Sequence, residues 1–140
     1  MATIRFRDIA KTAILNAIKT DIDAGAAAGK LRIYSGAMPA TPETAASGTL
    51  LAELTLSYAM GSITGSGATL KLEFGAITQD SSADNTGTAG YFRVLRNDGT
   101  TAVLDGDVTV TGAGGTLQLN TTSIVSGGPV LVTAFTISVP

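Results

Sequence analysis

The segment Tyr91-Phe92-Arg93-Val94-Leu95-Arg96-Asn97-Asp98-Gly99-Thr100-Thr101-Ala102-Val103-Leu104 decides the fold class. Two runs rich in β-branched and aromatic residues flank the turn-forming sequence Asn97–Thr100. Gly99 can adopt the positive φ that a bulged hairpin turn requires. The segment therefore predicts a β-hairpin with strands at 91–96 and 101–104.

Alternation of apolar and polar residues extends this β pattern in both directions. Leu50–Tyr58 and Leu70–Phe74 alternate as half-buried strands do. Further strands are predicted at 31–35, 107–111, 116–120 and 130–139, with turns or loops at 36–48, 61–67, 79–90, 105–106, 112–115 and 127–129. About eight short strands separated by turns indicate a mainly β protein with a jelly-roll or β-sandwich architecture.

The first 30 residues follow a different pattern. Thr3–Arg7 alternates and predicts a short strand, and the Asp8 carboxylate suits a helix N-cap. Ile14, Ile18 and Ile22 recur every four residues, which predicts one amphipathic helix over about 9–24 with these isoleucines facing the core.

The length of 140 residues indicates a single domain, because no linker divides the chain. We expect residues 1–30 to form the N-terminal strand and helix and residues 31–140 to form the β jelly roll. No stretch of about 20 apolar residues predicts a membrane span. Charged residues interrupt every apolar run near the N-terminus, so a secretory signal peptide is not expected either. These features predict a soluble intracellular product that does not bind membranes.

The composition argues against most kinds of enzyme. The chain has no Cys and no His, which excludes thiolate chemistry and removes the commonest general base and metal ligand. Charged residues are only 14% of the chain, whereas Ala, Thr, Gly and Ser together make up close to half. We therefore expect a non-enzymatic protein that uses no cofactor and no small-molecule substrate.

The charge is small but unevenly placed. The net charge of −2 argues against a nucleic-acid partner. Residues 1–32 carry six basic and three acidic side chains, whereas residues 33–140 carry three basic and eight acidic ones. A basic start on an acidic body favours self-association or an acidic partner, although ordinary solvated surface explains the bias equally well. Since two-fold pairs are the commonest closed assemblies, we expect a dimer.

Two sets of acidic residues deserve consideration as sites. Asp80, Asp84 and Asn85 form the least incomplete candidate for Ca²⁺, but they lack the dense ligand pattern of a calcium loop, and turn formation explains them better. Glu53 and Glu73 could in principle form a glycosidase pair. The chain has no Trp side chain against which a sugar ring could stack. Glu53 and Glu73 are therefore better explained as solvated carboxylates on the protein surface.

Several segments together carry a resemblance to a known family. Tyr91–Leu95, Asp98–Thr100, Leu117–Asn120 and Phe135–Ile137, preceded by Leu31–Gly36, follow a pattern that resembles the capsid cement (decoration) proteins of tailed bacteriophages. The resemblance covers about residues 30 to 140. The positions that carry the resemblance are turns and core strands. The resemblance therefore implies no catalytic or ligand-binding residue in this chain.

The resemblance implies a jelly roll or β-sandwich with an N-terminal helix and a structural role. The protein would be made in the host cytoplasm and would sit on the outer surface of the virion head, where it would bridge neighbouring subunits of the major capsid protein. Binding two subunits at once strengthens modest contacts through high effective concentration. The alternative is a carbohydrate-binding, lectin-like β-sandwich of a phage fibre or adhesin, and a small glycoside-active enzyme is the poorest of the three hypotheses.

The candidate partner-binding residues lie at the N-terminus and are Thr3, Ile4, Arg5, Phe6 and Arg7. An extended terminal segment can add itself to the sheet edge of another protein through backbone hydrogen bonds. Ile4 and Phe6 would then fill apolar pockets, while Arg5 and Arg7 would meet acidic groups. In the alternative interpretation, the segment pairs with the protein's own sheet and anchors the helix.

Overall fold

A computed structural model describes residues 3–140. These residues form one α-helix, ten strands and a single 3₁₀ turn at Gly67–Thr69. The elements are α1 Asp8–Ile22, β1 Lys30–Tyr34, β2 Leu50–Thr55, β3 Gly61–Thr64, β4 Lys71–Phe74, β5 Gly87–Thr88, β6 Tyr91–Leu95, β7 Ala102–Val110, β8 Leu117–Leu119, β9 Ser123–Ile124 and β10 Val132–Ile137. The prediction of a mainly β fold with one N-terminal helix is confirmed.

Eight of the strands form one curled sheet in the order β2-β1-β6-β7-β8-β10-β4-β3, and β5 pairs with β9. Neighbouring strands are antiparallel except for β7 and β8, which are parallel. This arrangement is consistent with the predicted sandwich or jelly-roll type of architecture. No helix among the described residues is long and apolar enough to cross a membrane.

The buried apolar side chains of β1 and β6 show how the sheet forms the core. Leu31 and Ile33 of β1 lie opposite Val94 and Phe92 of β6 in the antiparallel register, and all four side chains are fully buried. Because residues two apart in a strand point to the same side, this register places one apolar row inside the sheet. The same cluster includes buried residues from β2, β4, β8 and β10, so the two ends of the curled sheet share one core.

The hairpin predicted at Asn97–Thr100 is confirmed, and Gly99 adopts φ +69°. Asp98 holds the turn, because its carboxylate accepts hydrogen bonds from the Thr101 hydroxyl at 2.6 Å and from the backbone N–H groups of Thr100 and Thr101 at 2.8 Å. The Thr101 hydroxyl and these N–H groups lower the pKa of Asp98 to about 2. The turn is thus stabilised by an ionised side chain at neutral pH.

Two glycine-containing segments differ from expectation. The predicted turn at 61–67 contains strand β3, and the predicted Asp105-Gly106 turn lies in the middle of β7. Gly106 is opposite Phe92, and a Cβ on Gly106 would lie 2.5 Å from the Phe92 ring. Glycine therefore serves at this position to admit an aromatic ring, and β7 is one nine-residue strand where two shorter strands were predicted.

Helix α1 also differs in detail from the prediction. It begins at Asp8, with Arg7 as the N-cap residue, and ends at Ile22. Leu15 and Ile22 are fully buried, whereas the side chain of Ile14, predicted to face the core, is 37% exposed. A spacing of exactly four residues drifts by about 40° per step around a helix of 3.6 residues per turn. Ile14 therefore rotates away from the face that Ile22 buries.

Candidate partner-binding arm

Residues 3–7, which we call the N-terminal arm, precede α1 without forming a strand. The prediction of a strand at Thr3–Arg7 is therefore wrong. The Phe6 N–H donates to the Pro140 carbonyl at 3.3 Å, just beyond β10, but one bond does not make a β-ladder. Among the hydrogen bonds between residues 3–140, none uses the backbone of Thr3, Ile4 or Arg5. Those backbone groups are available to another strand.

The arm exposes four of the five predicted site residues. Ile4 is 63% exposed, and Ile9 at the start of α1 is 70% exposed; Thr3, Arg5 and Arg7 are exposed as well. Phe6 is half-buried. Ile4 and Phe6 therefore do not share one buried face, and Ile4 is the apolar side chain that a partner could cover.

The basic side chains of the chain divide into two groups. Seven of them contact a carboxylate or a carbonyl oxygen, and these are Lys11, Lys19, Lys30, Arg32, Lys71, Arg93 and Arg96. The remaining two, Arg5 and Arg7, have no such partner among the described residues. Both lie in the arm. Among residues 3–140, the basic side chains without a carboxylate partner are therefore Arg5 and Arg7 in the arm and Lys11 in α1, whose partner is a neutral carbonyl.

The arm starts from a firmly held point. The Asp8 carboxylate accepts from the Gly67 N–H at 2.9 and 3.1 Å, and the Lys11 ammonium donates to the Gly67 carbonyl at 3.1 Å. Lys11 is only 9% exposed, so its contact is shielded from water. At the far end of α1, the Asp23 carboxylate accepts from the Met60 N–H at 2.9 Å. The helix is therefore fixed to the sheet at both ends.

An open cleft of about 700 Å³ lies beside the arm. The arm forms one wall, and the 3₁₀ turn and the segment 138–140 form the others. Ligand clefts in proteins commonly have volumes of roughly 300–1,000 Å³. This cleft has the size of a binding site and adjoins both Ile4 and Arg5.

Two of the residues considered as a calcium site, Asp80 and Asn85, instead form hydrogen bonds with backbone groups. The Asp80 carboxylate accepts from the N–H groups of Glu53 at 3.1 Å and Ser82 at 2.9 Å. The Asn85 amide donates to the Leu50 carbonyl at 2.8 Å. Residues 3–140 contain no group of three Asp, Glu, His or Cys side chains placed to hold a metal. Asp80 and Asn85 fasten their loop to the edge of β2, while Asp84 is exposed.

The two glutamates weighed as a catalytic pair each lie beside a cation. Glu53 on β2 accepts from the Arg32 guanidinium at 2.6 Å, and Glu73 on β4 is 2.9 Å from the Lys71 ammonium. The hydrogen bond from Lys71 lowers the pKa of Glu73. Both carboxylates thus take part in surface ion pairs.

Sequence reasoning missed one polar feature, the ion pair between Arg93 of β6 and Asp105 of β7. The guanidinium donates twice to the carboxylate, at 2.7 and 2.8 Å, and the two side chains are only 6% and 4% exposed. The hydrogen bond to Asp105 raises the pKa of Arg93. The register of the hairpin, which pairs position 93 with position 105, is the signal that could have found this contact.

Comparison with known proteins does not identify a family for this chain. No family model, curated protein or solved structure matches the chain. The arm and the sequence pattern are therefore the features that bear on the function of the protein.

Proposed function

We propose that the protein is a non-enzymatic component of a tailed-phage virion that binds the outer surface of the capsid. In this role it bridges neighbouring subunits of the major capsid protein and stabilises the head. The observation that carries the proposal is the arm, which forms no strand, exposes Ile4 and holds Arg5 and Arg7, the two basic side chains without a carboxylate or carbonyl partner within residues 3–140. The resemblance of residues 30–140 to capsid cement proteins supports the same role.

The energetics favour a bridging role over a single contact. An exposed ion pair contributes about 0–1 kcal/mol, so two arginines alone hold a partner weakly. Backbone hydrogen bonds to the free groups of Thr3–Arg5 add to this if the arm joins a sheet edge of the shell. A second contact on a neighbouring subunit then becomes intramolecular, with an effective concentration on the order of mM. Modest contacts can thereby hold two subunits together.

Mass spectrometry of purified phage heads tests the proposal. We expect the chain in the head fraction, at a copy number that is a fixed multiple or fraction of the major capsid protein. Recovery only in the tail-fibre fraction would instead support the lectin-like alternative. Recovery in neither fraction would contradict a structural role in the virion.

We predict that the free protein is a dimer. The outer edge of β2 is covered, since the Leu51 carbonyl accepts from the Asp84 N–H at 2.8 Å and Thr55 pairs with Thr78. Within residues 3–140, β3 forms ladder bonds only to β4 and ends the sheet. Unpaired edges favour association with another chain. Sedimentation equilibrium should show twice the 14.0 kDa chain mass, and a monomer alone at tens of micromolar would contradict the prediction.

A further inference from the structure

The cleft beside the arm has a lining of mixed character. Ile4, Phe6, Val139 and Pro140 supply apolar surface, and Ala68 in the 3₁₀ turn contributes only a methyl group to the lining. A water molecule occupies about 30 Å³ of liquid, so a cleft of about 700 Å³ holds far more than one or two waters. Its size suits a short stretch of polypeptide with its side chains.

The charged groups around the cleft leave a positive excess. Asp8 and Lys11 both line it and are bound to the backbone of Gly67, and their opposite charges offset each other. Arg5 lines the cleft and Arg7 follows two residues later, and neither has an ionic partner among the described residues. The charge still available to a ligand is therefore that of two guanidinium groups, which favour carboxylates.

The backbone of the arm adds a third property. Thr3, Ile4 and Arg5 make no backbone hydrogen bond among the described residues, while the Phe6 N–H is already bound to Pro140. An incoming strand could pair with these free groups, and its alternate side chains would then point into the cleft and away from it. Free backbone, apolar lining and free cations thus occur along one stretch of chain.

We propose that the cleft and the arm together receive an extended segment of a shell subunit, in which apolar side chains alternate with carboxylates. The apolar side chains enter the cleft between Ile4 and Ala68, and the carboxylates bind Arg5 and Arg7. This inference rests on the proposed function and names the chemistry of the partner segment.

A blocked hexapeptide of alternating Glu and Val, added to the ¹⁵N-labelled full-length protein, tests the inference by NMR. We expect saturable amide shifts confined to residues 3–8, 67–68 and 138–139. Peptides that replace Glu by Lys, or Val by Ser, should bind at least about tenfold more weakly, because each lacks one half of the recognition. Shifts elsewhere, or no saturation at about 1 mM peptide, would overturn the inference.

Inorganic tripolyphosphate separates a peptide site from a simple anion site. If it produced the same shifts as the acidic peptide, Arg5 and Arg7 would form an anion site only, and the inference would be wrong. We expect the anion to shift the two arginines without affecting residues 67–68.

A substitution that fills the cleft, compared with the same substitution elsewhere on the surface, tests whether the peptide binds in the cleft. Ala68→Phe should abolish the peptide-induced shifts, whereas Ala113→Phe in the exposed 111–116 loop should leave them unchanged, with both variants keeping the melting temperature of the parent. Normal peptide binding by the Ala68→Phe variant would contradict the inference. Failure of the parent to bind phage heads, with peptide binding intact, would refute the proposed function and leave the cleft assignment standing.

Discussion

Replacing Asp105 by alanine should lower the free energy of unfolding by about 3–5 kcal/mol, the usual cost of breaking a buried ion pair. The Arg93 guanidinium would remain at a site where its side chain is only 6% exposed, without the two hydrogen bonds that now compensate for lost hydration. Urea unfolding measures the effect as a lower midpoint with an unchanged slope. A loss of this size is a large part of the 5–15 kcal/mol that typically stabilises a domain.

Two controls separate burial from charge. Glu73→Ala breaks the Lys71–Glu73 pair, whose side chains are about 40% exposed, and should leave the urea midpoint nearly unchanged, because exposed ion pairs contribute little to stability. The double variant Arg93→Met/Asp105→Leu removes both buried charges and should recover most of the stability that Asp105→Ala loses. An Asp105→Ala cost as small as that of Glu73→Ala would show that the pair is hydrated in solution.

Removing both charges of the arm should weaken binding to capsids. We expect Arg5→Ala/Arg7→Ala to raise the Kd for heads lacking the protein by about tenfold at low salt, which equals two ion pairs of about 0.7 kcal/mol each. The difference should shrink near 1 M salt, where the screening length falls to about 3 Å. Cosedimentation of the variants with heads, over a range of salt concentrations, measures both effects.

A control variant removes the same number of positive charges as Arg5→Ala/Arg7→Ala but leaves the arm unchanged. Lys30→Ala/Lys71→Ala removes two cations that already pair with Glu53 and Glu73. This variant should bind heads much as the parent does. Equal weakening by both double variants would mean that overall charge, and not the arm, determines binding.

Local patterns predicted the β class and the 97–100 hairpin because alternation and turn chemistry act over a few residues. They failed at Gly106, where the reason for glycine is the Phe92 ring on the neighbouring strand. The sequence next to Gly106 resembles a tight turn, and only the pairing partner shows otherwise. The same limitation hid the Arg93–Asp105 pair, since treating 105–106 as a turn removed the register that joins the two residues.

The arm shows a related limit of sequence reasoning. Alternation at Thr3–Arg7 is compatible with a strand and with an unpaired extended segment, because the difference lies in whether another strand is adjacent. Within residues 3–140, the Phe6–Pro140 bond is the only backbone hydrogen bond between the arm and the segment that follows β10. Thr3–Arg7 could be proposed as a partner-binding segment from the sequence. Their exposure and the cleft beside them could not be predicted, because both depend on the C-terminal segment and the 3₁₀ turn.

Deletion of residues 2–7 tests the central claim most directly. Purified full-length and truncated chains are mixed with heads lacking the protein, and bound copies are counted after sedimentation. The proposed role of the arm predicts that the full-length chain decorates the heads and that the truncated chain, with a nearly unchanged thermal transition, does not. Normal decoration by the truncated chain, or collapse of its fold, would contradict the assignment of the arm as the capsid-binding element.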